Sequence, residues 1–262
     1  MPDAQLPYAQ GTPCWIDSVT GDQKAALTFY HGLFGWTGEA NEQFMGYAMQ
    51  SVGDKPVAGI SAPMPGQPPA PPAWTVYFSV GDVNAAADRV AKLGGKVLFG
   101  PDEVPETGRM AVAADPAGAM FGLWQAAPFQ GFGAAMEPGA PGWFELETPQ
   151  AKASADFYAA LLQVEVPTMP EMPDAYWTIS VGGEPRAGIW QNPAGVETMA
   201  RWNPYILVED CDATVAKALA AGGAKLSDPK DSTYGRFAKL SDPQGAEFSV
   251  ITMTAEQQQM QM

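Results

Sequence analysis

Trp15-Ile16-Asp17-Ser18-Val19, followed by Phe29-Tyr30, recurs 128 residues later as Trp143-Phe144-Glu145-Leu146-Glu147 followed by Phe157-Tyr158. The match continues in order along the chain. Gly46-Tyr47 through Pro56-Val57-Ala58-Gly59-Ile60 parallels Ala175-Tyr176 through Pro185-Arg186-Ala187-Gly188-Ile189, with one residue gained. Trp74 answers Trp202, Val80-Gly81-Asp82 answers Val208-Glu209-Asp210, and Gly94-Gly95 answers Gly222-Gly223. Gly108-Arg109 and Asp115-Pro116-Ala117-Gly118 then answer Gly235-Arg236 and Asp242-Pro243-Gln244-Gly245. An internal repeat on this scale sets module boundaries without appeal to propensity. It gives a first module over residues 1–125, a linker over 126–140 and a second module over 141–262. The linker lies within AAPFQGFGAAMEPGAPG (126–142), rich in Pro and Gly and without periodicity. SAPMPGQPPAPPA (61–73) reads as an exposed loop with polyproline II character, and TAEQQQMQM (254–262) as a frayed tail.

Each module reads as a strand (WIDSV or WFELE) and then a helix with its start signal at an Asp or a Pro-Gln. In the first module that helix sets Ala25, Ala26, Phe29, Tyr30 and Leu33 on its apolar positions. Two strands around YAMQSV and VAGISA follow, joined by a hairpin turn at Gly53-Asp54, or at Gly182-Gly183 in the second copy. A further strand (VYFSV or YILVE) leads to a second helix, Val83 to Leu93 or Ala213 to Leu219, which stops at Gly-Gly. In the first module MAVAAD and AMFGLWQ then form two strands with Asp-Pro-x-Gly as their turn. The expected fold class is α+β: two tandem modules, each of paired βαβββ-type units, forming curled mixed sheets around clefts.

Composition narrows the function. With 14 basic and 29 acidic side chains the chain carries a net charge of −15 and has no basic run, so nucleic acid and anionic membrane surfaces are poor partners. Apolar stretches break well before the ~20 residues a membrane helix needs, and no signal-peptide pattern opens the sequence, so a cytoplasmic location is expected. Cys14 and Cys211 lack metal-site or redox spacing and read as buried apolar residues. With a single histidine, His31, the sequence assembles no Ser-His-Asp order and no Cys-His pair, and nucleophilic hydrolysis of that kind is disfavoured.

Phe-Tyr after the first strand, Val-x-Asp before the second helix, Gly-Gly, and Asp-Pro-x-Gly before the last strand together resemble the vicinal oxygen chelate superfamily. That family contains glyoxalase I, extradiol dioxygenases and bleomycin resistance proteins. The resemblance covers residues 11–125 and 141–252 and implies a cup-shaped sheet in each module. In the family's enzymes a divalent metal sits in the cup. The positions that would hold it fall here on Trp15 and Trp143, on Thr75 and Asn203, and on Gly122 and Ser249, none a good ligand. Asp17 and Glu145 are the carboxylates nearest those places. His31, in the first helix, reads as a helix surface or packing residue. The metal expectation is therefore none, and the cofactor expectation is none.

Strand alternation carries the inward face from Trp15, Thr75 and Gly122 to Asp17, Tyr77 and Trp124. In the second module it gives Trp143, Glu145, Asn203, Tyr205, Ser249 and Ile251, while the hairpins offer Tyr47, Met49, Tyr176, Thr178 and Trp190. Each ring could equally close a hydrophobic core. Taken together, rings beside two acids suit a planar, hydrophobic, partly cationic ligand such as an aromatic antibiotic or polyketide. The expected role is metal-independent binding or sequestration, in self-resistance or beside a biosynthetic enzyme, by a monomer or dimer. The alternative is an enzyme of the same fold, cofactor-free or atypically metal-dependent, with Asp17 or Glu145 as acid/base. A carboxyl among tryptophan rings would titrate high enough for that work. Arg109 and Arg236 read either as contacts to an anionic ligand group or as structural partners of Asp115 and Asp242, the latter favoured.

Overall fold

A computed structural model describes residues 8–63, 72–193 and 199–254. Most of the Pro-rich loop and all but Thr254 of the tail lie outside them. The first half of the chain forms β1 (Pro13–Val19), α1 (Gln23–Phe34), β2 (Ala48–Val52), β3 (Lys55–Ser61), β4 (Ala73–Ser79), α2 (Val83–Lys92), β5 (Lys96–Val104), β6 (Gly108–Ala114) and β7 (Met120–Ala126). The second half forms β8 (Pro141–Thr148), α3 (Ala151–Leu162), β9 (Tyr176–Val181), β10 (Glu184–Gln191), β11 (Arg201–Leu207), α4 (Cys211–Ala220), β12 (Ala224–Lys225), β13 (Lys230–Ser232), β14 (Gly235–Ser241) and β15 (Glu247–Met253). The class is α+β, with two mixed sheets ordered β2-β3-β1-β4-β7-β6-β5 and β12-β14-β15-β11-β8-β10-β9, β13 pairing with β14. The sequence reading lacks β5, β12 and β13. Their residues are mostly exposed or half-exposed and carry no buried face for a pattern to reveal.

The helix signals have a local cause. Asp82 of Val-x-Asp caps α2 by accepting from Asn84 N (2.9 Å) and Ala85 N (3.1 Å), and Asp210 caps α4 through Ala213 N (2.9 Å). Asp22 caps α1 through Ala25 N at 3.0 Å. Gln150 makes no side-chain cap on α3; Gln191 Oε1 instead accepts from Ala151 N at 3.0 Å. Gly94 takes φ +86°, which the chain needs to leave α2. Gly95 is required for a different reason: a Cβ there would lie 2.9 Å from Val90 Cγ1 and 3.2 Å from Phe157 Cε2. The Gly-Gly of one repeat therefore receives the Phe of Phe-Tyr from the other.

That exchange is general. The chain divides into two compact units, one containing Thr75–Gly131 and Trp143–Asn203, the other Ile16–Trp74, Phe132–Gly142 and the residues from Pro204 onward. Each unit thus draws on both sequence repeats. In the first, α2 packs on α3, and Phe78, Phe121, Phe157, Tyr158 and Trp202 form a ring cluster. In the second, α1 packs on α4, and Phe29, Tyr30, Phe34, Trp36, Trp74 and Phe248 do the same.

At the centre of each cluster lies a buried polar relay. Tyr30, 1% exposed, accepts from Trp74 Nε1 at 3.3 Å and donates to Asp242 Oδ2 at 3.1 Å. The other Asp242 oxygen closes the Asp-Pro-Gln-Gly turn by accepting from Gln244 N and Ala246 N, both at 2.9 Å. In the first unit Trp202 Nε1 donates to the Tyr158 hydroxyl at 2.9 Å, and the Asp115 carboxylate faces that hydroxyl. Asp115 Oδ1 accepts from Ala117 N (2.9 Å) and Ala119 N (2.8 Å). Burial first, then the facing carboxylate, push both tyrosine hydroxyls well above their ordinary range. Burial also raises the Asp115 carboxyl, opposed by the turn N–H groups and Tyr158.

The expected pairing of Arg109 and Arg236 with Asp115 and Asp242 is not what forms, because those carboxylates are taken up inside the relays. Arg236 lies on the surface between Asp212 (Nη2 to Oδ1, 3.0 Å) and Asp231 (3.1 Å), and Arg109 reaches Asn84 Oδ1 at 3.4 Å. His31 is exposed on α1, its Nδ1 2.9 Å from Trp36 O. Both cysteines are buried free thiols. Much of the linker is packed: Phe132, Ala134 and Ala140 are buried, and Gly139 O accepts from Trp36 Nε1 at 2.6 Å. Among the described residues no helix is long and apolar enough to cross a membrane.

Two sets of variants test this account in denaturant. Tyr30→Phe is expected to lower unfolding free energy by roughly 1–3 kcal/mol, since it leaves Trp74 Nε1 and Asp242 Oδ2 buried and unmatched. Gly95→Ala is expected to destabilise through the close approaches given above. Gly32→Ala, at an open position in α1, should stabilise by roughly 0.5–1 kcal/mol. Equal midpoints for the two glycine variants would contradict the assignment.

Candidate functional site

The first unit carries a polar group set among rings. Along β8, Phe144, Leu146 and Thr148 are buried, while Trp143, Glu145 and Glu147 alternate with them and are half-buried. β10 runs parallel to β8 with Gly188 opposite Glu145 and Trp190 opposite Glu147. β9 sets Thr178 opposite Gly188 and Tyr176 opposite Trp190. These side chains therefore share one face.

The glycine permits the key contact. A Cβ at Gly188 would lie 1.8 Å from the Tyr176 hydroxyl, so the phenol crosses β10 where that strand has no side chain. Tyr176 thereby reaches the acid two strands away, donating to Glu145 Oε2 at 2.9 Å and accepting from Trp143 Nε1 at 3.1 Å. Tyr176 is 8% exposed, and its ring lies 6.1 Å from that of Trp190 at 54°. Next along β8, Glu147 meets Arg201 Nε at 3.4 Å. The result is a carboxylate oriented by a buried phenol, with the indoles of Trp143 and Trp190 both against that phenol. Such an arrangement can receive an ammonium group or hold a proton, and can stack an aromatic plane.

The other candidate residues fall into smaller groups. Trp15 and Trp124, both buried, meet Phe129 edge-on at 5.0 and 5.8 Å, and Trp124 Nε1 donates to Phe129 O at 3.1 Å. Phe129 belongs to the linker, where no periodicity could single it out. Thr75 and Tyr77 are buried on β4, the ring of Tyr77 lying where a Cβ on Gly122 would be 2.0 Å from it. Asn203 is fully buried. In the second unit Tyr205 contacts Phe237 at 6.0 Å, a ring that also carries Lys230 Nζ 4.8 Å from its centroid. Phe237 and Lys239 stand opposite Ile251 and Ser249 on β15, and Lys239 pairs with Glu247 at 2.9 Å. None of Phe237, Lys230, Lys239 or Glu247 was singled out by sequence; the only signal for Phe237 and Lys239 is their alternation along β14.

Also in the second unit, Asp17 stands opposite Gly59 on β3, and Met49 of β2 faces the same glycine. A Cβ on Gly59 would lie 1.7 Å from the Tyr47 hydroxyl. Asp17 and Tyr47 are half-buried and Met49 is 39% exposed.

The divalent metal that the fold family implies finds no matching donors. Its expected places hold Trp15, Trp143, Thr75, Asn203, Gly122 and Ser249, and the Glu145 carboxylate already accepts a hydrogen bond from Tyr176. Among the described residues no group of three or more His, Cys, Asp or Glu side chains could hold a metal ion. No step is derived through one.

Comparison with known proteins agrees with this fold. Residues 14–123 match the model of the Glyoxalase/Bleomycin resistance protein/Dioxygenase superfamily, and residues 143–251 match a Glyoxalase-like domain. The chain is 38% identical over 255 residues to CFP32 of Mycobacterium bovis, provisionally named a glyoxylase, covering 95% of this chain and 98% of that one. It is 37% identical over 262 residues to the anthracycline biosynthesis protein DnrV of Streptomyces peucetius, covering 94% of each. In fold it resembles the Mn(II)-bound glyoxalase of Novosphingobium aromaticivorans, with TM-score 0.64 and 16% identity, over 94% of this chain and 83% of that one. With both repeats matched and relatives of this identity aligned nearly end to end, the chain belongs to the Glyoxalase/Bleomycin resistance protein/Dioxygenase superfamily.

Proposed function

We propose that the protein binds a planar, hydrophobic aromatic small molecule bearing an ammonium group, of the anthracycline or polyketide kind, without recruiting a metal ion. The observation that carries this reading is the Glu145 carboxylate oriented by Tyr176, a phenol that also meets Trp143 and Trp190. Two indoles and a phenol offer faces for a flat ring system, and a charged hydrogen bond to an amine contributes roughly 1.5–3 kcal/mol. The net charge of −15 favours a cation over an anion at long range. Two relatives that align over 94% of both chains are named for anthracycline biosynthesis, which supports the ligand class. In this reading the protein acts in the cytoplasm as an accessory of antibiotic production. It holds a product or intermediate away from targets, or relieves a biosynthetic enzyme of it.

A second reading rests on one specific contact. Because Tyr176 donates a hydrogen bond to Glu145 and so orients its carboxylate, the pair could serve as acid/base on a bound carbonyl compound, an enzyme reading to which the glyoxylase name of CFP32 lends support.

Calorimetric titration separates these outcomes. An anthracycline with a protonated amino sugar is expected to bind in the micromolar range or tighter and to be recovered unchanged by chromatography. Glu145→Gln should weaken it about 10- to 100-fold while leaving the uncharged aglycone nearly unaffected, as the charged hydrogen bond predicts. Trp190→Ala should weaken both compounds. Affinity no better than millimolar would remove the binding reading, and turnover of the ligand would favour the enzyme.

A further inference from the structure

Resting on the binding reading just given, we propose that Asp17 and Tyr47 form a second site for the same class of aromatic amine, so that one chain takes two molecules with unequal affinity. The argument begins at two glycines. Neither Gly59 nor Gly188 adopts a left-handed φ, so no backbone conformation demands them, and glycine within a strand weakens it. At both positions an added Cβ would strike a tyrosine hydroxyl first, that of Tyr47 at 1.7 Å or of Tyr176 at 1.8 Å. At both, the glycine stands opposite an acid on the neighbouring parallel strand, Asp17 or Glu145. Each repeat therefore gives up a side chain so that a phenol can cross a strand toward a carboxylate. In the second repeat that crossing ends in the 2.9 Å hydrogen bond to Glu145.

The walls differ where the acids agree. Trp190 is matched by Ser61, Thr178 by Met49 and Glu147 by Val19. Met49 is 39% exposed and Val19 is 40% exposed. The first repeat thus offers an acid and a phenol with a soft, open, apolar surround and without the indole next to Tyr176. Loss of one stacking ring weakens a site by about tenfold, and aspartate, one methylene shorter than glutamate, presents its charge closer to the strand. The Glu145 site is the tighter and the Asp17 site the weaker.

Calorimetry on the full chain with the protonated anthracycline tests this. The expected isotherm has two equivalents, the second at least about tenfold weaker. Glu145→Gln should weaken only the tighter equivalent and Asp17→Asn only the weaker, with thermal unfolding confirming that both variants fold. Ser61→Trp, which supplies the missing ring, should tighten the weaker equivalent. A single equivalent removed by Glu145→Gln overturns the second site and leaves the binding reading standing. So does a weaker equivalent unmoved by both Asp17→Asn and Ser61→Trp. Absence of any binding overturns both readings.

Discussion

A buried tyrosine hydroxyl governs this structure. Tyr30 and Tyr158 lie inside their ring clusters, Tyr30 satisfied from opposite sides by an indole N–H and a turn aspartate, Tyr158 accepting from an indole N–H and facing the corresponding aspartate. The aspartate in turn is tolerable because its other oxygen is spent on the N–H groups of its own turn. Tryptophan, tyrosine and aspartate therefore constrain one another, and the three come from segments far apart in the chain. Helix packing, the Gly-Gly contact and the strand that follows each Asp-Pro-x-Gly turn are arranged around that requirement.

Most of the anchors that made the repeat visible belong to this interior and to the helix caps, while Trp143, Tyr176 and Gly188, matched by Trp15, Tyr47 and Gly59, belong to the candidate site. Phe-Tyr, Trp74 and Trp202, Gly-Gly and Asp-Pro-x-Gly meet inside the two clusters, and Val-x-Asp caps a helix. They identify the fold strongly and say little about ligand. The other residues of the site vary between the repeats, as Trp190 against Ser61 and Glu145 against Asp17 show. Such differences are what allows a single architecture to host several chemistries.

How much could be read in the sequence follows the same division. A strand with one buried face, such as β8, was legible by alternation, and the helices that run to a Gly-Gly stop were legible from that stop. β5, β12 and β13 were not, because exposed strands leave no apolar pattern. For the site, alternation put Trp143 and Glu145 on one face, and the hairpin offered Tyr176 without fixing its parity. What joins them, the crossing of Gly188, showed only as a repeated glycine without a stated reason. The partner of each buried aspartate was misread as arginine, since sequence proximity favours Arg109 and Arg236 while the tyrosine that takes the place lies more than a hundred residues away in one case and over forty in the other. Phe129 was missed for want of any periodic or motif signal, and Phe237 and Lys239 because alternation along β14 was their only one.

The partnership between Tyr30 and Asp242 spans 212 residues, and that distance has a consequence for synthesis. The apolar side of α1, with Ala26, Phe29, Tyr30, Leu33 and Phe34, emerges early, yet its partners Phe248, α4 and Asp242 come from the last quarter of the chain. At roughly 5–20 residues per second, translation leaves that greasy surface uncovered for on the order of ten seconds or more. Closing so large a loop is also slow compared with forming local contacts. The apolar side of the first helix therefore waits for these native partners until the last quarter of the chain has been made.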